Sequence, residues 1–165
     1  MRLIISEKEI AARRIAKILA GNGAGDEKVY GVPVHRFKSN GEDYKAIGLK
    51  GHILKVDYPK EFANWFKVDP AELIDAEIEK TPIQKMIIKA LKKVAAEASE
   101  VIIATDYDRE GELIGYDALQ IVMDKNSNIA STRAKFSAIT PKDIKEAFAK
   151  IALIFTFKTT IWKMV

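Results

Sequence analysis

The chain has 165 residues, 48% hydrophobic and 30% charged, the balance of a globular domain large enough for a core of its own. A formal net charge of +4 permits a polyanionic partner without demanding one. With no cysteine and only two histidines, His35 and His52, the composition excludes disulfides, thiolate zinc sites, cysteine nucleophiles and histidine-rich metal centres.

Met1 to Ile5 is too short for a secretory signal core and runs straight into charged sequence, so the expected compartment is cytoplasmic. No apolar stretch reaches the ~20 residues of a membrane span. Leu3-Ile4-Ile5 predicts a buried first strand. A helix is predicted from Glu7 to Leu19, with Ile10, Ala11, Ile15, Ile18 and Leu19 as its apolar stripe. Ser6 is its expected N-cap, and Glu9 completes a capping box. Gly21 to Gly25 forms a loop.

Residues 28–57 change character. Val29 to Phe37 is strand-like, with Pro33 pushing part of it to an edge. Asn40-Gly41 is a hairpin signal. Tyr44 to Leu49 and His52 to Val56 read as further strands, so the region is an insertion or a set of strands added at one edge. Residues 58–80 read as irregular with short helical pieces. Thr81-Pro82 is expected to open a helix, with Ile87, Leu91, Val94 and Ala98 as its buried stripe.

Val101 to Thr105 is short, β-branched and flanked by polar residues, which predicts a buried strand. A helix follows from near Glu110 to Met123, then a loop over 124–128 and a strand from Ser131 to Ile139. Thr140 caps a last helix, with Pro141 at its first position and Asp143 against its dipole. Strands alternating with helices predict an α/β domain built on a parallel sheet.

The segment Asp106-Tyr107-Asp108-Arg109-Glu110-Gly111-Glu112 puts four carboxylates into seven residues at the end of the 101–105 strand. Two readings stand. Acids favour the first turn of a helix, where they complement its dipole. Carboxylates crowded at a strand's C-terminal end also suit a hard cation such as Mg²⁺, which takes oxygen ligands. If the first strand neighbours this one, Glu7 joins Asp106 and Asp108 around one cleft, an arrangement suited to phosphoryl transfer. Lys8 and Arg109 lie within reach of phosphate oxygens, although each alone is more often a solvated charge. Arg13, Arg14 and Lys17 on the first helix could form a basic rim for a nucleic-acid backbone. Lys38, Lys45, Lys50 and Lys55 in the β-rich region would extend it, as would Arg133 and Lys135 on the late strand. Singly, each run is a polar face. Gly48-Leu49-Lys50-Gly51-His52 suggests backbone close to a ligand, with His52 either bonding phosphate or serving structure.

Several patches carry a resemblance, in order along the chain. They are Leu3 to Lys8 with Ala11 to Ala16, Gly51-His52-Ile53-Leu54, the acidic segment Asp106 to Glu112, and Arg133 to Thr140. Together they resemble the N-terminal Toprim domain of type IA DNA topoisomerases, above all the archaeal topoisomerase I and reverse gyrase. The resemblance implies a Toprim (Rossmann-like) domain over residues 1–150. Its central sheet would be mostly parallel and flanked by helices, with a β-rich insertion at about 28–57. Residues 151–165 would follow as an atypical apolar tail. The resemblance further implies a Mg²⁺ cofactor held by Asp106, Asp108, Glu110 and Glu7. Glu7 would alternatively act as acid/base on the leaving 3′ oxygen, while Lys8 and Arg109 contact phosphate. Arg13, Arg14, His52 and Arg133 are the candidate nucleic-acid contacts.

The implied partner is DNA, mainly single-stranded or underwound, with other topoisomerase domains in cis and no membrane. Such enzymes nick through a tyrosine carried by a later domain. None of Tyr30, Tyr44, Tyr58, Tyr107 and Tyr116 sits in the Tyr-Pro-Arg-Thr-like context expected for it. The run from Ile151 to Val165 does not resemble the helix with which the family continues, which leaves a truncated or frame-disrupted topoisomerase and a stand-alone domain both open. Two other functions also stay open: a stand-alone Toprim nuclease on DNA or RNA, and a non-catalytic nucleic-acid-binding module.

Overall fold

The computed structural model describes residues 1–151 except 22 and 65. In chain order its elements begin with β1 (Arg2–Ser6), α1 (Glu9–Ala20), β2 (Gly25–Val29), β3 (Val32–Ser39), β4 (Glu42–Gly48) and β5 (Leu54–Asp57). A single 3₁₀ turn (Lys60–Phe62) precedes β6 (Glu79–Pro82), α2 (Lys85–Ala95), β7 (Glu100–Ile103), α3 (Arg109–Met123), β8 (Ala130–Arg133) and α4 (Pro141–Ala149).

Six strands form one sheet in the order β2-β3-β4-β1-β7-β8. β4, β1, β7 and β8 run parallel, while β2 and β3 are antiparallel additions at the β4 edge. The β-rich region therefore splits. Its first strands extend the main sheet and β4 lies directly beside β1, whereas β5 leaves to pair with β6 in a separate two-stranded ribbon.

The central strands are apolar on both faces because helices cover both sides. Leu3 and Ile5 of β1, with Val101 and Ile103 of β7, point into one core with Ile87, Leu91 and Val94 of α2 and Ile114, Ala118 and Val122 of α3. Ile4 and Ile102, one residue out of phase, point into the other core with Ala12, Ile15 and Ala16 of α1 and Ile144 and Ala147 of α4. Each of these fully buried Ile, Leu and Val side chains contributes about 1.5–3 kcal/mol relative to exposure.

Helix starts differ from expectation in two places. Ser6 remains in β1, paired with Gly48, and its hydroxyl donates to the Lys8 carbonyl at 2.9 Å. Lys8 is thus the N-cap of α1, without a side-chain cap, and the capping box does not form. Ile10 of the expected stripe is 69% exposed, and Ala12 and Ala16 take the buried face with Ile15. Thr81-Pro82 ends β6 rather than opening α2. Pro82 lies opposite Leu54 in a ribbon that tolerates a residue with no N–H to donate. The late strand closes at Arg133, not Ile139, though Ala134 still donates to the Ile103 carbonyl at 2.9 Å. The last helix starts as expected: Thr140 caps it by accepting from the Asp143 N–H at 3.1 Å. The expected tail at 151–165 lies, beyond Ile151, outside the described residues.

Candidate functional site

β1 and β7 are adjacent and parallel, with Ile5 opposite Ile103. Their C-terminal ends therefore deliver Glu7 and the Asp106–Glu112 turn to the same edge of the sheet, where α/β folds place ligands. β4 completes this edge. The Leu49 N–H donates to the Ser6 carbonyl (3.1 Å) and the Gly51 N–H to the Glu7 carbonyl (2.9 Å), so the segment before His52 runs alongside Glu7.

Two glycines let the backbones meet. At Gly48 a Cβ would fall 2.3 Å from the Glu9 nitrogen and 2.4 Å from its Cα, so only glycine lets β4 pass under the start of α1. At Gly111 a Cβ would fall 2.1 Å from the Asp106 carbonyl oxygen, so the acidic turn can fold onto the first turn of α3 only with glycine there.

The acids are placed differently from one another. Asp108 is the N-cap of α3, its Oδ1 accepting from the Gly111 N–H at 2.7 Å. Glu7 is nearly buried and pairs with the exposed Lys8 at 3.1 Å. The Lys8 ammonium is held above the ordinary lysine value, first by its hydrogen bond to Glu7 and by the Glu7 charge, then by the charges of Asp106 and Glu110. Lys8 thus sits in the shared field of three acids. Glu110 lies 3.5 Å from His52 Nε2, and Asp106 and Arg109 are exposed.

Arg133 is the largest departure from expectation. As a candidate nucleic-acid contact it should face solvent, but its side chain is only 7% exposed. Its Nη1 donates to the carbonyls of Thr105 (2.9 Å) and Ile103 (3.2 Å), and its Nη2 to the Asp106 carbonyl (2.9 Å). Nη2 also pairs with Glu112 at 2.6 Å. The guanidinium holds the acidic turn from beneath, and Glu112, last acid of the segment, faces it rather than the cleft. Sequence reasoning missed this pair, although a cation on the neighbouring strand beside a crowded acidic turn was its available signal.

The expected basic rim is interrupted. Lys45 pairs with Glu27 (3.0 Å) and Glu97 (3.2 Å), Lys38 with Asp43 (3.5 Å), and Lys55 with Asp57. Arg13, near Glu9 at 3.6 Å, and Arg14 are exposed on α1. Tyr107, also missed, is 57% exposed, with the Lys135 ammonium 5.2 Å from its ring centroid.

For Mg²⁺ the donor set fits in kind, since every candidate ligand is a carboxylate. It does not form a closed cage: among the described residues no three His, Asp or Glu side chains converge into a group able to hold an ion alone. The four acids expected around one cleft share an edge rather than a coordination shell. Mg²⁺ is ordinarily held by one or two carboxylates, with waters and substrate phosphates completing its shell, so a cage is not required.

The chain belongs to the Toprim domain family, whose model matches residues 2–139. Among similar curated proteins, "DNA topoisomerase 1" of Archaeoglobus fulgidus is 44% identical over 148 residues, 90% of this chain and 22% of that protein. "DNA topoisomerase 1" of Thermoplasma acidophilum is 40% identical over 150 residues, 91% and 19% respectively. "DNA topoisomerase 3-alpha" of Homo sapiens is 32% identical over 155 residues, 88% and 15%. The chain therefore spans about a fifth of the length of these relatives.

Proposed function

We propose that this chain is the phosphate- and metal-handling module of a type IA DNA topoisomerase. It would bind DNA and support single-strand cleavage and religation together with a tyrosine carried on another domain. The observation that carries this reading is the joint placement of Glu7, Lys8 and the Asp106–Glu110 turn on one sheet edge. It is supported by Toprim membership and by topoisomerase relatives matching across 88–91% of the chain.

Each residue has a role in this reading. Asp106, Asp108 and Glu110, with Glu7, would hold Mg²⁺, which when bound would neutralise charge on the scissile phosphate. Glu7, whose burial and Lys8 partner hold it in place, would deliver or accept the proton at the 3′ oxygen. Lys8 and Arg109 would donate to phosphate oxygens. Exposed Arg13 and Arg14 would follow the DNA backbone, and His52 would add a contact next to Glu110.

Calorimetric titration of Mg²⁺ and of a single-stranded oligonucleotide into the chain tests this, with supercoiled-plasmid nicking run in parallel. Expected are Mg²⁺ binding enhanced by the oligonucleotide, loss of both effects in the Asp106→Asn/Asp108→Asn double variant, and no plasmid relaxation by the chain alone. Mg²⁺-dependent nicking abolished by that variant would instead establish a stand-alone nuclease. Oligonucleotide binding indifferent to Mg²⁺ would leave a binding module.

A further inference from the structure

Tyr107 has no structural duty that accounts for it. It lies between two exposed acids, at a turn whose backbone is fixed by other groups. Arg133 holds the Asp106 carbonyl, Asp108 caps the Gly111 N–H, and the Thr105 hydroxyl donates to the Gly111 carbonyl at 2.7 Å. The ring is 57% exposed and belongs to neither apolar core. The Lys135 ammonium sits 5.2 Å from its centroid, a cation–π contact at the surface. Tyr107 also lines a groove of about 360 Å³ whose other wall is Phe136, Ser137, Ala138 and Ile139. A second groove sharing Phe136 and Ser137 continues past Lys135 toward α4.

We propose that Tyr107 is the stacking platform for one nucleobase of a single-stranded nucleic acid whose backbone passes Lys135. This deepens the proposed function and rests on it. The chemistry selects a base rather than a phosphate for the groove, because Asp106 and Asp108 on its rim repel anions. A neutral aromatic face stacks on Tyr107 without meeting that repulsion. Single-strand binding proteins combine such aromatic platforms with a cation for the backbone, and stacking tolerates any base because every base has a π-face. Lys135 serves both ends, polarising the ring and meeting a phosphate one step along the strand.

The test is fluorescence anisotropy of a labelled single-stranded DNA oligonucleotide in EDTA, so that metal binding does not enter. Tyr107→Ala and Tyr107→Leu weaken binding about 5- to 100-fold, while Tyr107→Phe and Tyr107→Trp stay within about twofold of the parent chain. The leucine variant separates stacking from apolar bulk, and unchanged circular dichroism shows that each variant is folded. The salt slope of binding stays constant in Tyr107→Ala, since no charge is removed, whereas Lys135→Ala lowers it by about 0.7. Oligonucleotides with one abasic site at successive positions supply the coupling. One position reproduces the loss with the parent chain and adds nothing further with Tyr107→Ala. Parent-like binding by the alanine and leucine variants, or fully additive losses at every abasic position, overturns the stacking role and leaves the function reading intact. Failure of the parent chain to bind single strands in EDTA overturns the stacking role, and failure to bind them with Mg²⁺ as well overturns both.

Discussion

Replacing Arg133 by methionine separates two roles that the sequence alone could not distinguish. Methionine keeps the apolar stem and removes the guanidinium. Four carbonyls lose a donor: Ile103, Thr105, Asp106 and, at 3.4 Å, Ala134. The Ile103 carbonyl keeps the Ala134 N–H and the Ala134 bond is long, so the loss falls mainly on Thr105 and Asp106, at about 1 kcal/mol each. Glu112 also loses its partner. Removing one member of a fully buried pair costs about 3–5 kcal/mol, but Glu112 is 37% exposed and rehydrates, so most of that figure is discounted. The expected total is about 2–4 kcal/mol. It appears as a fall of roughly 5–15 °C in the midpoint of thermal unfolding. Single-stranded DNA binding by the folded variant keeps its salt slope, because a buried guanidinium neutralises no phosphate. Arg14→Ala behaves in the opposite way: stability stays within about 0.5 kcal/mol, while the slope falls by about 0.7. An Arg133→Met variant as stable as the parent, with a reduced salt slope, would refute the supporting role and restore Arg133 to the nucleic-acid surface.

Gly48→Ala is expected to destabilise by about 2 kcal/mol or more in urea unfolding, because its Cβ meets the backbone of Lys8 and Glu9 rather than a side chain able to turn away. Asp108→Asn keeps a good helix cap and should leave the unfolding midpoint nearly unchanged, whereas Asp108→Ala loses about 1 kcal/mol. Both variants are expected to bind Mg²⁺ more weakly by calorimetry, which separates the capping role from the charge. Asp26 is held below the usual carboxylate range by its 2.7 Å hydrogen bond to buried His35, whose other nitrogen lies 3.3 Å from Glu9. A carboxylate with a lowered folded pKa stabilises the fold above its unfolded value of about 3.9 and loses that contribution as pH falls through the folded value. Asp26→Asn should therefore flatten the acid limb of stability below about pH 4 and leave the limb above pH 9 as it was; an unchanged acid limb counts against the pair.

Legibility followed the physics of each signal. Strands buried on both faces announce themselves as runs such as Leu3-Ile4-Ile5 and Val101-Ile102-Ile103, but that the two are neighbours is only a condition in the sequence, and the β1–β7 pairing meets it. The stripe Ile87, Leu91, Val94 and the cap Thr140 were equally plain, because each is a local pattern. What failed depended on partners far along the chain. Ser6 looked like a helix cap, but β4 recruits it into the sheet through Gly48. Thr81-Pro82 looked like a helix start, but β5 recruits it into a ribbon. Arg133 and Lys135 looked like neighbours on one strand face. The strand ends at Arg133, and their roles divide: one cation is buried against carbonyls, the other lies over an exposed ring.

Charge explains how so acidic an edge folds in the first place. Carboxylates this close repel one another, and the chain meets that repulsion locally. Glu112 is answered by buried Arg133, Glu7 by Lys8, Asp108 by the Gly111 N–H at the start of α3, and Glu110 has His52 within 3.5 Å. These partners differ in what could replace them. Arg133 is locked under the turn by carbonyls, so it holds the backbone whatever binds above. Lys8 is exposed and attached by one ion pair, so it can turn toward a phosphate without disturbing the fold. The edge is therefore divided into a fixed half, which sets where Asp106 and Asp108 stand, and an exchangeable half, which leaves their charge available to a ligand.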